Sequence, residues 1–262
     1  MREVVTMWRY TKMVVLTALT AAVYAAILIP MKGFPLIPGF TEFRPANVVP
    51  IVFGLLFGPA GAWGSAFGNL IGDFFGTLSL GSLFGFAGNF FYGFVGYKIW
   101  GHMGWFSSGK GVDIKSGRQL IEYALVVLLS SAVCASIIAW GLELLGLLPF
   151  AILSSIITLN NSLTAMALGP FLIWLVYPRV HRWDLLWTDI MDERDTSSHL
   201  SPTLGALLMW IGGMGGLIVG LLLSTGIYGA VPFAFGMGKA GGAVVMGVLP
   251  FLVLFFVGCL LM

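Results

Sequence analysis

Long apolar segments separated by short polar loops constrain this chain more than any other feature of its sequence. Hydrophobic residues make up 58% of the 262 residues and charged residues only 9%, whereas a soluble domain carries about 25% charged residues. An apolar segment of about 20 residues is long enough to cross a bilayer as a helix. The chain is therefore predicted to be an all-α polytopic membrane protein.

We predict eight membrane spans from the apolar segments and the turn-forming residues between them. The predicted spans cover residues 13–30, 45–58, 60–76, 79–98, 119–146, 155–178, 201–226 and 240–262. Spans two and three are short and meet at Gly58-Pro59, so a single kinked helix over 45–76 is the alternative. The first span follows three basic residues, a pattern that a cleaved signal peptide also shows, but its length favours a retained helix.

The basic residues favour the eight-span topology with both termini in the cytoplasm. Cytoplasmic loops of membrane proteins collect Lys and Arg. In this topology Lys32, Arg44 and Lys239 face outward, and the rest of the 13 basic residues face the cytoplasm. A single helix over 45–76 would remove this bias, because it would move the next basic loop outside. We therefore expect a multi-pass protein of the cell membrane.

A charged segment between the sixth and seventh spans divides the chain. Residues 183–200 hold five acidic side chains and predict a charged cytoplasmic linker. This linker would join a six-span core, residues 1–182, to a two-span C-terminal hairpin, residues 201–262. The hairpin contains Gly212, Gly216 and Gly220, whose four-residue spacing is typical of closely packed membrane helices.

Glycines at the same spacing mark the third predicted span. Four of them would line one face of a continuous helix: Gly64, Gly68, Gly72 and Gly76. Asn69 and Asp73 sit one position further on, and an ionisable residue at membrane depth usually faces a bundle interior or a wet cavity. Tightly packed helices around a polar pocket are therefore predicted, with Asn69 and Asp73 expected chiefly to cap or bridge helices.

The first span carries a smooth face of small residues. Its alanines fall four apart at Ala18, Ala22 and Ala26, the face is widened by Ala21 and Ala25, and Thr17 extends it. Packing within the chain would explain such a face, and so would a contact with another membrane protein.

This alanine face resembles that of the S components of energy-coupling-factor (ECF) vitamin transporters. Three further segments look like those of riboflavin-type and related S components: Arg44-Pro45-Ala46-Asn47, the Gly58-Pro59 turn, and Gly68-Asn69-Leu70-Ile71-Gly72-Asp73. The resemblance covers roughly residues 13–180, and the last two spans depart from the six-helix pattern of that family.

The resemblance implies a function and a set of partners. The six-span core would capture a vitamin or similar micronutrient from outside the cell. The face of Ala18, Ala22 and Ala26 would dock onto a transmembrane T subunit, and two ABC-type ATPase subunits would drive uptake. The chain itself has no Gly-x-x-x-x-Gly-Lys-Ser/Thr phosphate loop.

Candidate substrate-binding residues lie near the predicted outer half of the core spans, with Asn89 near mid-membrane and Tyr92 one turn deeper. We expect a pocket beneath the outer loop 31–44, whose turn-forming residues are compatible with a lid. Amide side chains both donate and accept hydrogen bonds, and an arginine can hold a carboxylate or carbonyl group. The candidates are Glu42, Arg44, Asn47, Asn89, Tyr92, Trp140, Glu143, Asn160 and Asn161.

Some of these candidates have a structural alternative. Arg44 can act as a headgroup anchor, Trp140 can belong to the interfacial aromatic belt, and Asn160 with Asn161 can cap a helix.

The sequence does not favour an enzyme, a cofactor, a metal site or a nucleic-acid partner. No His-Glu-x-x-His or Gly-x-Ser-x-Gly motif occurs. Cys134 and Cys259 fall in apolar spans and are predicted to be free thiols. Two other functions stay open: a stand-alone secondary transporter with Asp73 as its proton site, and a membrane assembly or structural protein.

Overall fold

The structure, a computed structural model, describes residues 1–37, 44–109, 111–196, 201–226 and 242–262, and the backbone of 41–42. The helices are α1 (Arg2–Thr6), α2 (Thr11–Met31), α3 (Val48–Phe57), α4 (Pro59–Asp73), α5 (Gly81–Ile99), α6 (Gly117–Leu144), α7 (Phe150–Arg182), α8 (Trp187–Ile190), α9 (Glu193–Thr196), α10 (Pro202–Ser224) and α11 (Gly242–Leu261). Short 3₁₀ turns cover Met7–Arg9, Pro45–Asn47 and Gly104–Phe106. A two-stranded antiparallel pair, β1 (Pro35–Ile37) and β2 (Thr41–Glu42), follows α2.

The helices confirm an all-α polytopic membrane protein. Among the described residues, five helices are long and apolar enough to cross a membrane: α2, α6, α7, α10 and α11. The other three predicted spans correspond to α3, α4 and α5, of 10, 15 and 19 residues. At 1.5 Å per residue, α3 and α4 are each shorter than the roughly 30 Å of a hydrocarbon core.

Glycines of α4 bring it into backbone contact with α2. A Cβ on Gly64 would collide with the side chain of Thr20 and lie 2.7 Å from the carbonyl oxygen of Thr17. A Cβ on Gly68 would lie 2.9 Å from the carbonyl oxygen of Ala21. The two helices can therefore approach this closely only because α4 presents hydrogens instead of side chains.

The structure corrects two predictions about the small-residue faces, one on α4 and one on α2. Gly76 lies beyond the end of α4, in a turn with φ of +145° that favours glycine. On α2, the residues that pack inward are Thr17, Ala21 and Ala25, all buried. The predicted single alanine face is thus two faces, because Ala18, Ala22 and Ala26 are exposed on the other side of the helix.

The C-terminal helices form a hairpin that packs on α6 and α7. A Cβ on Gly212 would lie 2.5 Å from the backbone nitrogen of Phe255 in α11. On another side of α10, a Cβ on Gly213 would lie 2.6 Å from the side chain of Val133 in α6. Glycines therefore fasten α10 both to its hairpin partner and to the core.

The acidic segment after α7 packs against the core over its described part, residues 183–196. The hydroxyl of Tyr10 donates to Oδ2 of Asp195 at 2.8 Å and accepts from the backbone N–H of Asp192 at 3.1 Å. The ring of Trp187 covers Gly58, where an added Cβ would lie 2.5 Å from Cγ of the indole. The predicted linker is thus a strap across one end of the bundle.

Candidate functional site

A polar cavity opens among the ends of α4, α5, α6 and α7 and the 3₁₀ turn before α3. Its volume is about 50 Å³. It lies at the end of the bundle where α2 and α4 end and α5 and α7 begin, opposite the strap. The connections α4–α5 and α6–α7 and the segment that leads into α3 meet at this end, which is why residues distant in sequence share one cavity. The lining residues come from α4, α5, α6, α7, the connection between α4 and α5, and the turn before α3.

Arg44 ties together two walls of the cavity. Its guanidinium NH1 donates to Oδ1 of Asn69 at 3.1 Å, and its backbone N–H donates to Oδ1 of Asn160 at 3.2 Å. The first contact reaches α4 and the second reaches α7. Because a residue before proline disfavours the helical region, the backbone at Arg44, with φ of −121° and ψ of 74°, stays outside a helix. Arg44 thus has contacts inside the bundle, which favours the predicted site role over a headgroup anchor.

Amide side chains from three helical segments form a continuous network below Arg44. Nδ2 of Asn47 donates to Oδ1 of Asn161. Nδ2 of Asn89 donates to the carbonyl oxygen of Gly85 at 2.9 Å. Asn160 and Asn161 lie about ten residues inside α7, which begins at Phe150. They therefore do not cap that helix, and the predicted start of the sixth span was too late.

Tyr24 of α2 orients this network although it does not line the cavity. Its buried hydroxyl lies 2.9 Å from Oδ1 of Asn47 and 3.0 Å from Oδ1 of Asn89. A hydroxyl carries one proton, so the two amide oxygens share a single donor. Tyr24 thereby fixes the orientation of two candidate ligand-binding amides.

An acidic group forms the other polar wall. Oδ1 of Asp73 accepts from the hydroxyl of Thr77 at 2.9 Å, and Oδ2 accepts from Nδ2 of Asn69 at 3.3 Å. The ammonium of Lys32 donates to the Thr77 hydroxyl at 2.6 Å and lies 3.7 Å from Oδ1 of Asp73. This chain links the end of α2 to the end of α4 across the cavity rim.

The apolar wall is aliphatic. Ile138 and Leu142 come from α6, and Leu153 and Ile157 come from α7. No aromatic side chain lines the cavity among the described residues. Branched aliphatic side chains therefore supply the apolar wall that a small-molecule site needs.

The structure brings Arg44, Asn47, Asn89, Asn160 and Asn161 together around this cavity. The fully buried Tyr92 lies behind it, and its hydroxyl donates to the carbonyl oxygen of Asn161 at 3.2 Å.

Two of the candidate residues make contacts away from the cavity, and the side chain of a third is not among the described residues. Trp140 donates from Nε1 to the carbonyl oxygen of Val245 in α11 at 3.0 Å, so it joins the core to the hairpin. Glu143 accepts from the backbone N–H of Phe150 at 2.5 Å and satisfies the start of α7. The Glu42 side chain lies outside the described residues.

Sequence reasoning missed part of the site. Asn69 and Asp73 were expected chiefly to cap or bridge helices, but they hydrogen bond to each other within α4 and line the cavity. Tyr24 and Lys32 also belong to the site's hydrogen-bond network. A tyrosine in the middle of an otherwise apolar span was the available signal for the first, and a lysine directly after that span was the signal for the second. Among the described residues no cluster of three or more His, Cys, Asp or Glu could hold a metal ion.

Comparisons with known proteins identify the family. Searches of curated proteins and of solved structures returned no match. A family model described as QueT transporter matches residues 14–178, which is well over half of the chain and includes every described residue of the cavity. The chain therefore belongs to the QueT transporter family, which confirms the predicted S-component resemblance and assigns it to this family and not to the riboflavin type.

Proposed function

We propose that this substrate-binding transport component captures a queuosine precursor, a base built on the 7-deazaguanine ring system, in the cavity below Arg44. The family supplies the substrate class. The observation that carries the proposal is the bridge from Arg44 to Asn69 and Asn160, which places a cation and several amides around one cavity. A planar base with several donors and acceptors needs such a set of polar groups on an apolar wall.

Binding involves a rearrangement of Arg44. The cavity of about 50 Å³ is smaller than the several hundred Å³ typical of small-molecule sites. The Arg44 side chain lines the cavity and holds Asn69, so a ligand enters by displacing this contact. The released guanidinium then donates to the carbonyl oxygen of the base.

Mass spectrometry of the gently purified chain tests the substrate. We expect a 7-deazaguanine base to copurify with the wild-type protein and to be displaced by added queuine but not by riboflavin. A folded, monodisperse protein that binds riboflavin and no 7-deazaguanine base would refute the assignment.

We propose further that uptake requires an ECF T subunit and two ABC-type ATPases, docked through α2. Ala18, Ala22 and Ala26 are exposed, in contrast to the buried Ala21 and Ala25 on the other side of α2. The C-terminal hairpin packs mainly on α6 and α7, so it leaves this outer face of α2 accessible. A smooth exposed face suits close contact with a partner helix.

An Ala22→Leu variant tests the docking face. The added volume should block ATP-dependent uptake and leave base affinity within about twofold, because Ala22 does not contact the cavity. Ala167→Leu, at an exposed position of α7, is the matched control and should leave uptake unchanged. Uptake by the purified chain without ATPase subunits would instead support the stand-alone transporter.

We also propose that both termini are cytoplasmic, so that the cavity faces outward. Trp105 lies in the loop after α5 and is 95% exposed, while Cys134 and Cys259 are buried and should not react. A membrane-impermeant thiol reagent should therefore fail to label Trp105→Cys in intact cells and label it after lysis. Labelling in intact cells would reverse the orientation.

A further inference from the structure

We propose that Asp73 selects the guanine-like edge of the base, the ring N1–H together with the 2-amino group. This inference rests on the proposed function and deepens it, because it names the feature of the ligand that the site recognises. From the sequence, Asp73 was expected chiefly to cap or bridge helices, or to be the proton site of a stand-alone transporter. The amides and Arg44 alone do not explain why a carboxylate lines this cavity.

Asp73 retains acceptor capacity inside the cavity. The residue is only 5% exposed and lies in the cavity wall. A carboxylate offers about four acceptor positions, two on each oxygen. Among the described residues, Thr77 occupies one on Oδ1 and Asn69 one on Oδ2. Lys32 lies 3.7 Å from Oδ1, beyond hydrogen-bond distance. One acceptor position on each oxygen is therefore available to a ligand.

Two adjacent acceptors complement two adjacent donors. A 7-deazaguanine base carries N1–H and the 2-amino group side by side, so both can donate to one carboxylate in a bidentate pair. Hydrogen bonds to an ionised acceptor are stronger than neutral ones. A base without the 2-amino group keeps one donor, and a 2-oxo base turns a carbonyl oxygen toward the carboxylate.

The order of Arg44, Asn69 and Asp73 along the cavity wall matches the order of the acceptor and the donors along the guanine-like edge of the base. Asn69 contacts both Arg44, through Oδ1, and Asp73, through Nδ2. The cation and the carboxylate therefore stand on either side of one amide. In the base, the carbonyl oxygen, N1–H and the 2-amino group follow one another along a single edge. Arg44 can hold the carbonyl oxygen while Asp73 holds the two donors.

An Asp73→Asn variant should reverse this preference. The new amide offers one acceptor and one donor, which fits N1–H beside a 2-oxo group and opposes a 2-amino group. The neighbours tolerate the change, because Asn69 can still donate to the remaining oxygen and the Thr77 hydroxyl can rotate to accept from the new amide.

Calorimetric titration with 7-deazaguanine, 7-deazahypoxanthine and 7-deazaxanthine tests the inference. Wild-type protein should bind the first at least tenfold more tightly than either of the others. Asp73→Asn should prefer 7-deazaxanthine over 7-deazaguanine, and Asp189→Asn, an exposed isosteric change on the strap, should keep the wild-type order.

Two outcomes would overturn the role of Asp73 while leaving the proposed function intact. One is wild-type protein that binds 7-deazaguanine and 7-deazahypoxanthine equally well. The other is folded Asp73→Asn protein that still prefers the 2-amino base. If this variant does not fold, the wild-type comparison decides alone. Wild-type protein that binds neither queuine nor any of the three bases would refute the proposed function itself, and the inference with it.

Discussion

Two helices of this chain carry glycines at four-residue spacing, and the two faces do different things. In α4, Gly64 and Gly68 pack against α2, and the residues that follow Gly68 and Gly72 line the cavity. In α10, Gly212 packs against α11, and a Cβ on Gly220 would meet the ring of Phe150. None of the described residues of α10 lines the cavity.

The difference shows that the spacing reports helix contact and not function. Both faces let backbones approach closely, and neither identifies a site by itself. The polar residues beside the glycines carry that information, because Asn69 and Asp73 in α4 have no counterpart in α10. Close packing of α4 on α2 then holds these two side chains at a fixed depth.

The largest effect should come from Gly64→Ala. The new Cβ would overlap the side chain of Thr20 and approach the Thr17 carbonyl, so α4 has to move away from α2. Overpacking of this kind costs about 1–3 kcal/mol. Because α4 carries Asn69 and Asp73, base affinity should fall more than tenfold together with thermal stability. Unchanged affinity in a destabilised protein would show that α4 does not position the site.

Gly212→Ala should lower stability by a similar amount and spare binding. Its Cβ would lie 2.5 Å from a backbone nitrogen of α11, and the hairpin has to open slightly. We expect base affinity within about twofold of wild type, measured by calorimetry beside a thermal unfolding assay. A tenfold loss of affinity would mean that the hairpin contributes to the cavity.

Tyr24→Phe should have an intermediate effect on binding. The variant removes the hydroxyl shared by Asn47 and Asn89, and a buried hydrogen bond contributes about 1 kcal/mol. Affinity should therefore fall roughly fivefold, since about 1.4 kcal/mol corresponds to tenfold. Wild-type affinity in this variant would show that the amides keep their orientation without Tyr24.

Much of the fold was predictable from the sequence because bilayer constraints act locally. Apolar length and the Gly58-Pro59 turn predicted the order of the helices, and glycine spacing predicted where they touch. Helix ends were less predictable. Asp73 ends α4 before Gly76, and Phe150 begins α7 before the predicted residue 155, because caps and turns after an apolar segment depend on tertiary contacts.

The types of residue at the site were more predictable than the directions in which their side chains point. Asn47, Asn89 and the two asparagines of α7 line one cavity, and their role in substrate binding stays a prediction. Trp140 and Glu143 lie on the same helix as cavity residues but contact α11 and the start of α7 instead. The face of a helix that meets a cavity depends on how its neighbours pack, and an apolar helix with no polar face does not reveal this in its sequence.

The most direct test of the account is the affinity of a queuosine precursor for wild-type, Arg44→Ala and Gly216→Ala proteins, measured by calorimetry in one detergent. A Cβ on Gly216 would lie 3.4 Å from Phe251, an ordinary contact, so this hairpin variant should match wild type. Arg44→Ala should lose about tenfold or more, because hydrogen bonds to charged groups contribute about 1.5–3 kcal/mol. Unchanged affinity in Arg44→Ala, with loss in Gly216→Ala, would place the binding site outside the cavity described above.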